Sequence, residues 1–297
     1  MIATRSQRIR TSGIELHVVT AGPEAGHPVI LLHGFPDFWY GWRYQIDALA
    51  ARGFRLIMPD QRGYDRSDKP AAVAAYDISQ LNRDILQLMD ALHLPRASLV
   101  AHDFGGAVAW WVAANQPERV DRLVVLNCPH FLTYRRAHRG LEQLTRSWYV
   151  GALVVPWLSE ALCKLGGYQA LIRLGPGTRL GGMRDEDLPS YREAWSQPGA
   201  VRGMLSWYRA MLPALFRPFP KTRITVPTLL VWGKRDAFLS SAMARPSVEL
   251  CDHGKLVMFD DATHWVHWDA PERVNPLIAD WLSGAPEASQ RGASPSI

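Results

Sequence analysis

The stretch Ser98-Leu-Val-Ala-His-Asp-Phe-Gly-Gly-Ala-Val-Ala-Trp-Trp-Val-Ala-Ala114 constrains the fold more than any other part of the chain. A short apolar run ends in His102, an acidic residue follows, and two glycines open an Ala-rich segment with helical character. Ala101-His102-Asp103-Phe104-Gly105 has the spacing small-x-nucleophile-x-small. That spacing belongs to a sharp strand-to-helix turn that lifts one reactive side chain above a parallel sheet. The flanking positions are small because such a turn brings backbone and neighbouring elements too close for larger side chains. Taken alone, the stretch reads more readily as a βα turn in which Asp103 caps the helix.

The chain has 297 residues, enough for one large domain or two with a substantial core. Its 47% hydrophobic and 21% charged residues are those of a soluble globular protein. No apolar run approaches the ~18 residues of a membrane span. The opening Met-Ile-Ala-Thr-Arg-Ser-Gln-Arg lacks the apolar core of a secretory signal. Cys128, Cys163 and Cys251 are odd in number and far apart, with neither metal nor redox spacing. A reducing, cytoplasmic setting is therefore expected, with no cofactor and no metal. The net charge of +5 raises nucleic acid as a partner. However, the basic residues are scattered among carboxylates, and the densest cluster, Arg135-Arg136-Ala-His138-Arg139, is short. A solvated basic face is expected, with neither nucleic acid nor membrane as partner.

Residues 8–20 alternate around Ser12-Gly13 and predict an antiparallel hairpin. Val29–His33, Phe54–Met58, Ser98–Ala101, Val120–Leu126, Pro227–Trp232 and Lys255–Phe259 are short apolar runs, the pattern of strands buried on both faces. Helical periodicity occupies Trp39–Arg52, ended by Gly53, then Ile78–Leu92, the segment after Asp103 to about Gln116, and Pro271–Ser283, with Asp269 as its expected cap. Strands alternating with helices imply a parallel sheet covered on both faces, whose ligands lie beyond the carboxyl ends of the strands. From about 130 to 222 the strand-like runs give way to aromatic, helical stretches, with a glycine-rich loop at 175–182. This segment reads as a helical insertion over that edge of the sheet. The tail after Gly284 has little to pack and is expected to be disordered.

Two further residues fall where the turn needs partners. Asp236 follows one buried strand and His264 follows the last, so nucleophile, acid and histidine occur in the order of an α/β-hydrolase triad. His267 is a rival base inside the Trp-rich approach to the last helix. His102 is expected as a neighbour of the turn, and Asp260 and Asp261 as solvated carboxylates. The backbone N–H groups of Phe35, in His33-Gly34-Phe35-Pro36, and of Phe104 can converge as an oxyanion hole. Asp in place of Ser redirects the chemistry. A serine alkoxide attacking saturated carbon would give a dead-end ether, whereas a carboxylate gives an ester that water cleaves. With a carboxyl pKa ordinarily near ~3.9, Asp also needs no base to become a nucleophile. His264, oriented by Asp236, is then free to activate water. The triad points to hydrolysis at an alkyl carbon bearing a leaving group. A halide would need only N–H donors around it, whereas an epoxide oxygen needs a proton, for which Tyr149 and Tyr208, each beside a Trp, are candidates.

His-Gly-Phe-Pro at 33–36, His-Asp-Phe-Gly-Gly at 102–106, Gly-Lys-Arg-Asp at 233–236 and Thr-His-Trp at 263–265 resemble the epoxide hydrolases of the α/β-hydrolase superfamily, over nearly the whole chain to about residue 283. Trp207-Tyr208-Arg209 resembles the second cap-tyrosine motif, and Tyr149, seven residues before Pro156, stands at the position of the first. The resemblance implies an α/β-hydrolase fold: a mostly parallel eight-stranded sheet with helices on both faces and a helical cap. The implied division is core 1–129, cap 130–222, core 223–284 and tail 285–297. It also implies Asp103 as nucleophile, Asp236 and His264 as water activators, and Tyr149 and Tyr208 as acids. Phe38, Trp39, Trp148 and Trp207 are expected around an apolar epoxide, in a monomer or homodimer. Ala101 and Phe104 depart from the usual Gly and the common Trp. The alternative on this scaffold is a haloalkane or haloacid dehalogenase. Haloalkane dehalogenases usually place Trp after the nucleophile and fluoroacetate dehalogenases Arg, where this chain has Phe104.

Overall fold

The computed structural model describes residues 2–11, 13–176, 183–214 and 221–284. The hairpin is present as β1 (Thr4–Arg10) and β2 (Glu15–Ala21), paired antiparallel from Thr4 opposite Ala21 to Arg10 opposite Glu15. β3 (His27–Leu32) leads through a 3-10 turn into α1 (Arg43–Ala50), and β4 (Phe54–Pro59) is followed by α2 (Ile78–Ala91). β5 (Ala97–His102), α3 (Phe104–Asn115) and β6 (Val120–Leu126) complete the first run of alternating elements. The segment after β6 is helical: α4 (Phe131–Ala137), α5 (Leu141–Arg146), α6 (Trp148–Leu153), α7 (Leu158–Leu174), α8 (Leu188–Ser196) and α9 (Ala200–Ala214). α7 is interrupted at Leu165–Tyr168, where Gly166, Gly167 and Tyr168 take positive φ. β7 (Thr228–Gly233), α10 (Ala244–Val248), β8 (Gly254–Phe259), α11 (Val266–Asp269) and α12 (Pro271–Ser283) close the core. Residues 177–182 of the expected glycine-rich loop, and the tail 285–297, lie outside the described residues.

The eight strands form one sheet in the order β1-β2-β4-β3-β5-β6-β7-β8. β1–β2 and β2–β4 pair antiparallel and every later pair is parallel. Successive side chains of a strand point to opposite faces, so the continuous apolar runs split into two cores. Val29, Leu31, Val100, Val124, Leu126, Leu229 and Val231 pack on the face covered by α1 and α12. Ile30, Leu32, Leu99, Leu123, Val125 and Leu230 pack on the face covered by α2 and α3. This two-sided burial explains why these strands show no polar alternation.

The helices between β6 and β7 lie against the carboxyl ends of the strands and are tied there by polar contacts. Trp207 Nε1–H donates to the Arg62 carbonyl (2.8 Å), Trp195 Nε1–H to the Pro36 carbonyl (2.7 Å), and the Tyr191 hydroxyl to Asp37 Oδ1 (2.6 Å). Arg43 from α1 pairs with Asp187 at 2.7 Å. The sequence places Asp269 as the cap of α12, but the cap position is Ala270, whose side chain cannot accept a hydrogen bond. The Asp269 carboxylate instead accepts from Thr263 N–H and Thr263 Oγ1–H, both at 2.6 Å. It therefore fixes the residue before His264 rather than the helix after it.

Candidate active site

Asp103 sits between β5 and α3 with φ 50° and ψ −123°, a conformation costly for a residue with a Cβ. Close packing on both sides holds it there. A Cβ on Gly34 would lie 2.3 Å from Asp103 Cβ, and one on Gly105 would lie 2.2 Å from the Leu32 carbonyl oxygen. Gly105 in the turn and Gly34 opposite it are therefore required by the close approach of the turn to the end of β3 and the loop after it. Ala101 is fully buried on β5, so its methyl is accommodated in the core.

The turn directs the carboxylate into two contacts. Phe35 N–H donates to Asp103 Oδ1 (2.9 Å), and Asp103 Oδ2 lies 3.5 Å from His264 Nε2. Phe104 is the first residue of α3, so its N–H belongs to the first helical turn, where no intrahelical acceptor exists. His264 Nδ1–H donates to Asp236 Oδ2 (2.7 Å). Asp236 also accepts from Phe238 N–H (2.8 Å), Leu239 N–H (2.9 Å) and Asn127 Nδ2–H (2.8 Å). Asp103, Asp236 and His264, separated by up to 161 positions in sequence, thus form one contiguous hydrogen-bonded set.

Burial alone would raise the Asp103 carboxyl, but the hydrogen bond and charge of His264 outweigh it and hold Asp103 below the usual carboxylate range. Burial alone would likewise lower His264. The Asp236 charge and the contacts with Asp103 overcome it and push the imidazole up to about 10. The two carboxylates thus favour the imidazolium form of His264 and the ionised form of Asp103. His102 behaves differently. Burial drops it to about 3, its Nε2–H donates to the His264 carbonyl (2.9 Å), and its Nδ1 has no partner. A neutral His102 braces the His264 loop. His267 is buried and held neutral by desolvation, against His102 and Trp42, so it does not face Asp103 as a base. Asp260 and Asp261 are exposed and paired with Lys234 and Arg273.

The helices over the sheet bring two phenols to the same place. Tyr208 on α9 packs edge-on against Phe35 and Phe104, with ring centroids 5.0 and 4.7 Å away. Tyr149 on α6 packs against Phe238, which in turn contacts the His264 ring. The two rings meet edge to face with centroids 6.4 Å apart, and burial raises both phenols well above the ordinary tyrosine value. A cavity of about 130 Å³ opens between Asp103 and the two phenols, walled mainly by aromatic and aliphatic side chains.

Of the four residues expected around a substrate, Trp207 lines this cavity. Phe38 and Trp39 line a different one, near β1, β2 and α8. Trp148 points to solvent and is 76% exposed, since α6 presents Tyr149 inward and the residue before it outward. The cavity wall instead includes Phe131, Tyr134, Trp111, Met211 and Leu239. Those residues carry no motif, and their role follows from how the helical segment folds back.

Asn127 also escapes a motif-based reading. It follows β6 at φ 42°, accepts from Gly233 N–H (2.9 Å), and donates to Asp236 and to the Gly233 carbonyl. A polar residue ending an apolar strand at the ligand-bearing edge was its available signal. His17, Asp60 and Asp65 are the one group of metal-type ligand atoms found together among the described residues, all within 4.8 Å of one another. Both ring nitrogens of His17 are taken, by Ser6 Oγ (2.6 Å) and Asp60 Oδ2 (2.5 Å), and Asp60 bonds Asp65. The group ties the hairpin to the loop after β4 and lies apart from Asp103.

Comparison with known proteins agrees with this geometry. Residues 27–149 match a family model described as the alpha/beta hydrolase fold. The chain is 39% identical to the AB hydrolase superfamily protein YfhM of Bacillus subtilis, covering 95% of this chain and 99% of that one. It is 36% identical to Epoxide hydrolase 4 of Homo sapiens, covering 93% and 77%. Its structure superposes on a Bacillus megaterium epoxide hydrolase in complex with an inhibitor with a TM-score of 0.86 at 29% identity, covering 93% of this chain and all of that one. Sheet order, strained turn and full-length similarity agree, and the chain belongs to the epoxide hydrolases of the α/β-hydrolase superfamily.

Proposed function

We propose that the protein hydrolyses a small apolar epoxide to a vicinal diol through a covalent ester on Asp103. The observation that carries this reading is the placement of Asp103 Oδ2, beside His264 and on a cavity that the phenols of Tyr149 and Tyr208 also line. Oδ1 already rests on Phe35 N–H, where an oxyanion would be held, which leaves Oδ2 as the attacking atom.

In the first step Oδ2 forms a bond to one epoxide carbon while the carbon–oxygen bond breaks. The departing oxygen takes a proton from Tyr149 or Tyr208. Burial keeps both phenols protonated, and an alkoxide is a far stronger base than even a buried phenolate. Esterification also removes the Asp103 charge, one of the influences that raise His264. The imidazolium then gives its proton, by way of solvent in the pocket, to the phenolate just formed. Neutral His264 is thereby created only once there is an ester to hydrolyse.

In the second step His264 takes a proton from water, whose oxygen attacks Asp103 Cγ. Negative charge develops on Oδ1, facing the Phe35 and Phe104 N–H groups. In comparable sites one such donor contributes about 10²–10³ in rate. The hydroxyl gained by Cγ passes its proton to the departing diol oxygen, which regenerates carboxylate and imidazolium. Asp236, fixed by Asn127 and two backbone N–H groups, keeps the His264 ring in register. The apolar wall fits an aliphatic or aryl epoxide.

The deciding experiment exposes the His264→Gln variant to a panel of terminal epoxides, haloalkanes and fluoroacetate, followed by mass spectrometry. An alkyl adduct on Asp103 from an epoxide is expected. With the wild-type protein in ¹⁸O-water, a single turnover should label Asp103 and not the diol. Halide release with inert epoxides would overturn the reading in favour of dehalogenation. Label entering the diol directly would overturn the ester.

A further inference from the structure

Among the described residues, every exposed large apolar side chain except Val73 falls between Leu141 and Leu165, on the segment α5–α7. Trp157 is 88% exposed, Trp148 76% and Leu165 70%. Leu158 and Leu162 lie one turn apart and Leu165 follows where α7 is interrupted, so the first half of α7 turns apolar side chains outward. Between Trp148 and Gly167 the exposed positions include a single charged side chain, Lys164. Small residues fill the rest, among them Gly151, Ala152 and Ala161. Trp157 also holds φ 63°, a strained conformation for a bulky residue.

We infer that this face of the helical segment, centred on Trp157 and Leu162, is the contact surface for a second copy of the chain. The size of the face supports this. Scaling the exposures of Trp148, Val155, Trp157, Leu158, Leu162 and Leu165 by ordinary side-chain areas, about 250 Å² for Trp, gives roughly 750 Å² of exposed apolar side chain spread over α6, the link after it and the first half of α7. The largest apolar patch on a typical monomer is about 300–600 Å², whereas each side of a standard protein interface contributes about 800 Å².

The composition agrees. Aromatic residues with few charges are the signature of an interface core. An interfacial membrane helix would pair its apolar stripe with Lys or Arg along the polar flank, and only Lys164 is available in this stretch. The chain's own C-terminal segment, 285–297, is mostly Ala, Ser, Pro and Gly with Glu287, Gln290 and Arg291, and Ile297 is its one large apolar residue, so it offers little to cover the face. A two-fold contact, in which one patch meets its own copy, is the commonest way to bury a self-complementary surface.

The test is sedimentation velocity on the full-length protein across a concentration series, for the wild type and for Trp157→Glu and Leu162→Glu separately. The wild type is expected to sediment as a dimer. Each variant should weaken association at least about 30-fold, as loss of an interface anchor does, with unchanged circular dichroism. Hydrogen exchange supplies a measurement that needs no variant: protection at residues 148–165 should rise with wild-type concentration. A wild type that stays monomeric at every concentration, or a dimer insensitive to both substitutions, overturns the inference. Binding of monomeric wild type to phosphatidylcholine–phosphatidylglycerol vesicles, lost in the variants, would overturn it in favour of a membrane face.

Discussion

If loss of the Asp103 charge is what frees His264 to act as a base, neutralising Asp103 by mutation must lower the His264 pKa in the absence of any substrate. In the resting protein His264 Nε2 lies 3.5 Å from Asp103 Oδ2 and its Nδ1 lies 2.7 Å from Asp236 Oδ2, and its pKa stands at about 10. Two unit charges about 4 Å apart interact by about 4 kcal/mol at an effective dielectric of about 20. At 1.36 kcal/mol per unit, that is roughly 3 pKa units. Asp103→Asn should therefore bring His264 down to roughly 7, with the Asp236 pair intact. The assay is an NMR titration of the His264 ring protons in wild type and variant, with Asp103→Ala as a second neutral form. Between about pH 7 and 10 the wild-type ring should remain protonated while the variant ring loses its proton. A fall of less than one unit in both variants would refute the argument that esterification switches His264 from acid to base.

Tyr208→Phe should slow ester formation by about 10²-fold, the scale of one general acid, and leave breakdown of a preformed ester unchanged; rapid-quench kinetics separate the two steps. Gly34→Ala forces a methyl to within 2.3 Å of Asp103 Cβ and should abolish turnover while the protein still folds, as checked by circular dichroism and epoxide consumption. Asn127→Gly keeps a residue that tolerates positive φ but removes the amide from Asp236. A loss of about 1–3 kcal/mol in stability is expected by urea unfolding, with hydrolysis of the ester slowed more than its formation. The pH dependence of stability follows from groups whose folded pKa is raised. His264 stabilises the fold fully below about 6.5, and that contribution is lost as pH rises through about 10. Asp65, raised to about 8 by burial and by Asp60, adds a penalty that grows from its unfolded value of 3.8 up to about 8. Thermal unfolding temperatures should thus decline from neutral to alkaline pH, and Asp65→Asn should flatten the part below about pH 8.

The sequence by itself determined the eight strands, the strained turn at Asp103, and the strand ends that carry Asp236 and His264. These features are local. Apolar runs of strand length, glycines forced by close approach at the turn, and polar residues just beyond strand ends can each be read from a few neighbouring positions. What the tertiary structure alone decided depends on contacts between distant segments. Tyr134 and Phe131 face the cavity, and Phe38 and Trp39 line another, because of how the helices after β6 fold back over the sheet. Asp269 fixes Thr263 instead of capping α12, because a short turn brings its carboxylate onto that hydroxyl. Trp148 and Tyr149 are adjacent in sequence, yet one is exposed to solvent and the other lies against Asp103's cavity. Aromatic residues in an amphipathic helix look alike in sequence. Only the orientation of the helix, set by packing against the sheet edge, separates a wall of the site from a face left to solvent.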